Sequence, residues 1–281
     1  METQLLEGKK LAKKMQTVME TRVSQLKEKG LTPGLTVVLV GDDPASQTYV
    51  RNKERQATKV GIKSEVIRLD ASITEEELLQ VVYQLNEDKT VHGILVQLPL
   101  PRHMNEQRVL RAIDYEKDVD GFHPMNMGNF LLGNEGALPC TPLGIMTLLK
   151  EYEIEIEGKN ALVIGRSNIV GKPMALMLMK DHATITIAHS RTKNLKELTK
   201  QADIVVAAIG RGHFITGDFL KPGAVVVDVG MNRDENGKLI GDVDTESAMG
   251  IASYITPVPG GVGPMTITML LEQTIRKVEV D

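Results

Sequence analysis

A chain of 281 residues, 42% hydrophobic and 25% charged, has the ordinary globular balance and enough length for about two domains, which excludes a disordered, collagenous or coiled-coil protein. Lys and Arg number 33 and Asp and Glu 37, a formal net charge of −4, so no basic surplus exists to gather phosphates and no nucleic-acid partner is expected. Cys140 is the single cysteine, which rules out an internal disulfide or a C-x-x-C zinc site and suits a reducing compartment. No apolar run approaches the ~18 residues of a membrane span, and the charged, amphipathic N-terminus lacks a signal-peptide apolar region. A soluble, cytoplasmic protein with no membrane partner is expected.

In chain order, helix and strand patterns alternate. Residues 9–29 carry Leu11, Met15, Val18, Val23 and Leu26 at helical spacing and stop at Gly30. Leu35–Val40 reads as a buried strand ending at Gly41. Asp43-Pro44 is an N-cap followed by a first-turn proline, opening a helix to Val60. Glu65–Leu69 is a strand, and Thr74-Glu-Glu-Glu77 is a capping box for a helix ending near Asn86. Gly93–Leu98 is the next strand, cut by Pro99 and Pro101. Residues 114–140, rich in Gly, Asn, Met and Pro, read as irregular and mark the domain boundary. Thr141-Pro142 caps a helix to about Tyr152. Strands follow at 160–165, 184–188, 203–208 and 224–229, with helices near 171–180 and 194–201. Asn236-Gly237 marks a tight hairpin, and a last helix runs from Pro264 to about Lys277. This alternation predicts an α/β protein with parallel sheets covered on both faces.

Ala161-Leu-Val-Ile-Gly165 runs into Gly165-Arg-Ser-Asn-Ile-Val-Gly171-Lys-Pro173. A strand, a glycine turn and a helix start make a cradle whose N–H groups and dipole face a phosphate. The spacing departs from G-x-G-x-x-G, because Ser167 replaces the second glycine and the loop is one residue longer. A plain strand–helix turn therefore stays open beside the cradle reading. An NAD site needs an acidic residue after the next strand. This chain has Ile187-Ala-His-Ser-Arg191, where Ser190 and Arg191, with Arg166, suit a 2′-phosphate and favour NADP. A solvated arginine is the alternative there.

In the first half, Tyr49 and Lys53 lie one helical turn apart and share a face. Lys53 has Arg51, Glu54, Arg55 and Lys59 around it, so a solvated charged face is the simplest reading. Gln97 is polar within an apolar strand, at the carboxyl end where open α/β sheets bind ligands; a satisfied buried amide is the other reading. Lys117-Asp-Val-Asp120-Gly-Phe-His123 lacks the glycine position and bidentate Glu of a calcium loop, so no metal is expected. Pro257-Val-Pro-Gly-Gly-Val-Gly-Pro264 packs three glycines and three prolines into eight residues, a rigid turn that brings backbone close to a ligand or a neighbouring chain.

Taken together, Tyr49-Val-x-x-Lys53, Val96-Gln-Leu-Pro-Leu-Pro101, Lys117-Asp-Val-Asp-Gly-Phe122, Gly165-Arg-Ser-x-x-Val-Gly171-x-Pro173 and Pro257-Val-Pro-Gly-Gly-Val-Gly-Pro-Met-Thr266 stand in an order that resembles the bifunctional methylenetetrahydrofolate dehydrogenase/methenyltetrahydrofolate cyclohydrolase family, of the FolD type. The resemblance covers essentially the whole chain. It implies an N-terminal α/β catalytic, folate-binding domain over 1–140, joined by the C-terminal helix 265–281. It also implies a Rossmann-like NADP-binding domain over 141–264, with a cleft between the two. The implied reactions are oxidation of 5,10-methylenetetrahydrofolate with NADP and hydrolysis of the methenyl product to 10-formyltetrahydrofolate.

By the same resemblance Lys53 is the proton acceptor, Gln97 holds Lys53, Tyr49 stacks on the folate and Asp120 accepts pterin N–H groups. Val96, Leu98, Pro259, Gly260, Gly261, Val262 and Pro264 line the folate. Gly165, Arg166, Ser167, Val170, Gly171, Pro173, Ser190, Arg191 and Met231 take NADP, Met231 standing where relatives often have Ile. A homodimer through the cofactor domain is implied. A monofunctional dehydrogenase, a shikimate-dehydrogenase-like NADP oxidoreductase and a non-catalytic NADP-binding sensor are the rival readings.

Overall fold

The computed structural model describes residues 2–279; Met1 and the last two residues of the expected 265–281 helix lie outside the described residues. In chain order the first elements are β1 (Gln4–Leu5), α1 (Gly8–Glu28), β2 (Gly34–Val40), α2 (Pro44–Lys59), β3 (Lys63–Leu69), α3 (Glu75–Glu87), β4 (Gly93–Val96), α4 (Glu106–Ala112), α5 (Pro124–Leu132) and α6 (Cys140–Glu151). There follow β5 (Asn160–Ile164), α7 (Gly171–Lys180), β6 (Thr184–Ala188), α8 (Leu195–Thr199), β7 (Ile204–Ala207), β8 (Val225–Asp228), β9 (Asn232–Arg233), β10 (Leu239–Ile240), α9 (Thr245–Ala248), β11 (Tyr254–Ile255) and α10 (Val262–Glu279).

The described residues divide into two compact units, one of residues 2–13 and 141–266, the other of residues 14–140 and 267–279, with the division falling inside α1, α6 and α10. Residues 2–13 group with residues 141–266. The cause is β1, which pairs in parallel with β11 through Gln4↔Tyr254 and Leu5↔Ile255. Two-residue strands are too short to leave a periodic signal in the sequence.

In the unit built on residues 14–140, the sheet order is β3-β2-β4, all parallel, and every residue of the central β2 is buried. Its core draws Val38 and Val40 from β2, Leu78 and Val82 from α3, Ile94 and Val96 from β4, and Val109 from α4. Each such buried side chain contributes roughly 1.5–3 kcal/mol relative to exposure. The expected caps are present. Asp43 accepts from the Ser46 N–H at 2.7 Å, and Thr74 and Glu77 bond reciprocally at 3.2 and 2.7 Å. The 114–140 stretch is not wholly irregular: α5 lies within it, with His123 accepting from the Met125 N–H at 3.1 Å and Gly133 ending it at φ 81°. At 9 residues, with Gly128 in its middle, α5 is shorter than the window over which the pattern is read, which is why the pattern hid it. The C-terminal part of α10 is held to this unit by Arg22, which bonds Glu272 at 2.7 Å and Glu279 at 2.6 Å.

In the other unit, a parallel sheet runs in the order β1-β11-β8-β7-β5-β6. Its core includes Leu162 and Ile164 from β5, Val205 and Ala207 from β7, Val226 from β8 and Ile255 from β11. The chain passes from β5 outward to β6 and returns to β7 on the other side of β5. That reversal is the switch point where such sheets place dinucleotides. The Asn236-Gly237 hairpin joins β9 to β10 as an antiparallel pair. No helix among the described residues is long and apolar enough to cross a membrane.

Candidate functional site

Burial separates Lys53 from its charged neighbours. Arg51, Arg55 and Lys59 on the same helix are exposed, while Lys53 is 6% exposed. The solvated-face reading of Lys53 therefore fails. One turn before it, Tyr49 is half-buried, and the Lys53 Nζ lies 5.9 Å from the Tyr49 ring centroid. The same Nζ donates to Gln97 Oε1 at 3.0 Å, and Gln97 Nε2 donates to the Leu98 carbonyl at 2.7 Å. An ammonium only donates, so the amide oxygen must face it, and the second bond holds the amide in that sense. Gln97 stands just past β4, where its N–H still bonds Val38 O at 2.8 Å. Val96, at the end of β4, is buried and Leu98 half-buried.

Burial lowers the Lys53 amine below its ordinary value, against the attraction of Asp120 and Cys140. Burial likewise raises the Asp120 carboxyl, with Lys53 opposing the shift and Asp118 adding to it. Burial raises the Tyr49 hydroxyl too. A buried amine with a lowered pKa, held by a neutral amide and near a carboxylate, is better suited to exchanging a proton than a solvated lysine is.

Asp118 shapes the loop that carries Asp120. It is 3% exposed; its Oδ1 accepts from the Gly121 N–H at 3.0 Å, and its Oδ2 from the His123 N–H at 2.9 Å and Asn126 Nδ2 at 2.8 Å. Gly121 has φ 74°, and a Cβ there would lie 2.2 Å from the Leu138 carbonyl carbon, so only glycine fits. Gln273 of α10 donates to Val119 O at 2.8 Å and to Leu138 O at 2.9 Å. Cys140 donates its thiol to Val119 O at 3.2 Å, and burial pushes that thiol well up. Sequence reasoning missed Asp118, Asn126, Gln273 and the placement of Cys140. The one available signal was the polar run Glu272-Gln-Thr274 inside an otherwise apolar helix.

The other predicted group lies in the sheet unit that holds β5. Gly165 has φ 135°, and a Cβ there would lie 2.3 Å from Ala208 O; a Cβ on Gly171 would lie 2.3 Å from Gly165 O. The loop is therefore as tight as a phosphate cradle requires. Ser167 Oγ accepts from the Val170 N–H at 3.1 Å and the Gly171 N–H at 3.2 Å, so Ser167 caps the start of α7, where Pro173 is buried. After β6, Thr192 Oγ1 accepts from the His189 N–H at 2.9 Å and His189 Nδ1 from the Arg191 N–H at 3.2 Å. That turn leaves Ser190 and Arg191 exposed, as Arg166 is, and Met231 is exposed beyond β8. Tight glycines, a capped helix start and cationic side chains with no acidic residue after β6 fit a dinucleotide carrying a 2′-phosphate.

Pro259, Gly260, Gly261, Val262 and Pro264 belong to this second unit, in the turn that opens α10. Glycine is demanded there by the turn's own backbone, since Gly260 has φ 108° and a Cβ on Gly261 would lie 2.7 Å from Pro257 O. Lys9 N–H bonds Gly260 O at 2.8 Å, and a Cβ on Gly8 would lie 1.9 Å from Gly261 O, so the turn closes on residues 8 and 9 of its own chain.

Two family models match: tetrahydrofolate dehydrogenase/cyclohydrolase, catalytic domain, over residues 6–120, and the NAD(P)-binding domain of the same name over residues 139–281. A bifunctional FolD protein of Streptococcus agalactiae is 62% identical over 97% of this chain and 96% of its own. The crystal structure of a FolD methylenetetrahydrofolate dehydrogenase/cyclohydrolase from Campylobacter jejuni aligns at TM-score 0.97 and 52% identity, covering 99% of each chain. The Trypanosoma brucei enzyme, solved with NADP cofactor and inhibitor, aligns at TM-score 0.96 and 38% identity, covering 100% of this chain and 98% of its own. With matched models spanning nearly all of it and relatives this similar over full length, the chain belongs to the tetrahydrofolate dehydrogenase/cyclohydrolase family.

Proposed function

We propose that this protein oxidises 5,10-methylenetetrahydrofolate to the 5,10-methenyl cation with NADP⁺ and hydrolyses that cation to 10-formyltetrahydrofolate. The observation that carries the reading is the buried Lys53 amine, lowered in pKa and held at 3.0 Å by Gln97. NADP⁺ supplies the hydride acceptor. The chain's own task in that step is placement, because the folate nitrogen stabilises the cation. Tyr49 offers its ring to the folate's aromatic part, Asp120 accepts N–H bonds from the pterin edge, and Val96 and Leu98 give apolar walls. In hydration, water oxygen bonds to the methenyl carbon and Lys53 takes the water proton. The bond from that carbon to one ring nitrogen then breaks as the hydroxyl becomes the formyl carbonyl, the hydroxyl proton going to the departing nitrogen and the proton on Lys53 to solvent. Gln97 keeps the amine aimed at the water. Arg191, Ser190 and Arg166 receive the 2′-phosphate, and the Gly165–Gly171 loop the pyrophosphate.

The cytoplasm is the expected compartment, since the lone Cys140 thiol is buried and free. A homodimer is expected through the sheet unit of β5, whose edge strand β6 exposes Thr184, Thr186 and Ile187. The test follows NADPH formation and methenyl-folate decay together on one enzyme sample. Both signals are expected with 5,10-methylenetetrahydrofolate and NADP⁺. Methenyl-folate that accumulates and decays only at the uncatalysed rate would mean a monofunctional dehydrogenase.

A further inference from the structure

Two buried carboxylates in the sheet unit of β5 take no part in the chemistry above. Asp242 is fully buried; its Oδ2 accepts from the N–H groups of Ile209 at 2.7 Å and Gly210 at 3.1 Å. Its Oδ1 accepts from the Arg211 N–H at 2.8 Å and from Asn232 Nδ2 at 2.9 Å. Three successive backbone N–H groups closing on one anion form a nest, here filled by the chain's own side chain. Asp228, also buried, accepts at Oδ1 from the N–H groups of Gly230 at 2.8 Å and Asp242 at 2.9 Å, and at Oδ2 from Val243 at 2.9 Å. The donors to the pair are six backbone N–H groups and one amide, with no cation among them. Glycines clear the space: a Cβ on Gly241 would lie 1.8 Å from Asp228 Oδ2, and one on Gly230 would lie 2.4 Å from Asp242 N. Burial raises the Asp228 carboxyl to about 6, its three N–H bonds opposing the shift, so it is mostly ionised at neutral pH.

The location gives this cluster its meaning. Residues 208–213 follow β7 and residues 229–231 follow β8, both at the carboxyl ends of parallel strands. They lie across the switch point from β6, where Ser190 and Arg191 stand. A doubly wound sheet binds the two halves of a dinucleotide on opposite sides of that point. With the 2′-phosphate end beside β6, the ends of β7 and β8 face the nicotinamide half. Asp242 holds the first of these loops through its backbone. Together the two carboxylates also hold both neighbours of the exposed Met231, Gly230 by its N–H and Asn232 by its side chain.

We propose that Asp242 is a positioning residue for the nicotinamide half of NADP, pre-forming the Ile209–Arg211 loop so that the loop need not order when the dinucleotide binds. The inference rests on the reading of this unit as the NADP site, and its test separates the two. In the ligand-free, unmodified enzyme, amide hydrogen exchange of residues 209–211 is expected to be slow, and NADP⁺ slows it by less than about threefold. Unprotected amides that become protected only with NADP⁺ would overturn the proposal, whichever dinucleotide the enzyme prefers. In Asp242→Asn, the Kd for NADP⁺ measured by calorimetry is expected to rise about tenfold, the scale of weakened charge-assisted bonds. The KM for NADP⁺ should follow it while kcat at saturation changes by less than about threefold. A folded Asp242→Asn enzyme with a lower Tm and a native NADP⁺ Kd would make the residue merely structural and sink the idea. Should that variant not fold, the exchange result on the unmodified enzyme decides alone. Equal Kd values for NAD⁺ and NADP⁺ would refute the 2′-phosphate reading and leave the exchange result standing.

Discussion

Lys53 shows how a single side chain changes character with its surroundings. It carries the same charge as Arg51, Arg55 and Lys59, yet it alone among them is buried. Removing an ammonium from water disfavours the charged form, and Gln97 supplies a neutral acceptor that only partly compensates. The neutral amine is the form that takes a proton from water. With Lys53 as the proposed base, its lowered pKa is expected to move the rising limb of cyclohydrolase activity to pH values below the ordinary lysine range. On the acid side of that limb the amine is protonated and hydrolysis falls. Lys53→Met is expected to cut cyclohydrolase activity by about 10²–10⁴-fold and to abolish the limb, with a smaller loss of dehydrogenase activity. Lys53→Arg should not restore hydrolysis, because a guanidinium stays protonated. Native hydrolysis in a folded Lys53→Met enzyme, checked by circular dichroism, would remove Lys53 from the reaction. With Asp120 as the proposed shared folate contact, Asp120→Asn is expected to raise the folate KM of both reactions together. If one activity fell alone while folate affinity held, Asp120 would have another role.

At the scale of elements, helix starts and strand ends carry the proposed site. The helix α2 presents Tyr49 and Lys53 on one face, and its entry is set by Asp43 and Pro44. Asp43→Ala is expected to destabilise the protein, read as a lower urea midpoint. An unchanged midpoint would mean that water replaces the cap without cost. The loop between β5 and α7 works by close approach. A methyl on Gly171 would meet Gly165 O at 2.3 Å, so Gly171→Ala should weaken NADP⁺ binding more than folate binding. The turn after β6 is the proposed point of choice between the two dinucleotides. Arg191→Ala is expected to raise the NADP⁺ KM by roughly tenfold or more, the scale of one charge-assisted phosphate contact, and to leave the NAD⁺ value nearly unchanged. Equal NADP⁺ and NAD⁺ efficiency in the unmodified enzyme would defeat that assignment.

For the molecule as a whole, β6 is an edge strand, and Ile187 on it is 41% exposed. If a second copy covers that edge, Ile187→Lys is expected to shift the sedimentation coefficient from dimer to monomer, since an edge lysine opposes strand pairing. An unmodified protein that sediments as a monomer would discard the dimer. Much of the architecture was legible along the chain, because its signals are local. Asp43-Pro44, the Thr74–Glu77 box, the glycines at 165 and 171 and the alternation of apolar runs act over one or two turns, and helix and strand formation answer to that range. The parallel sheets followed from the alternation alone. Other features depended on partners far apart in sequence. β1 exists because Tyr254 and Ile255 are there to pair with it, and residues 2–13 group with that unit for that reason. Gln273 reaches Val119 and Leu138 from the last helix, and Asp242 closes on amides at 209–211. Lys53 was a charged residue among charged residues until folding buried it against Gln97. Burial and hydrogen-bond partnership are properties of packed neighbours, and no window of sequence contains them.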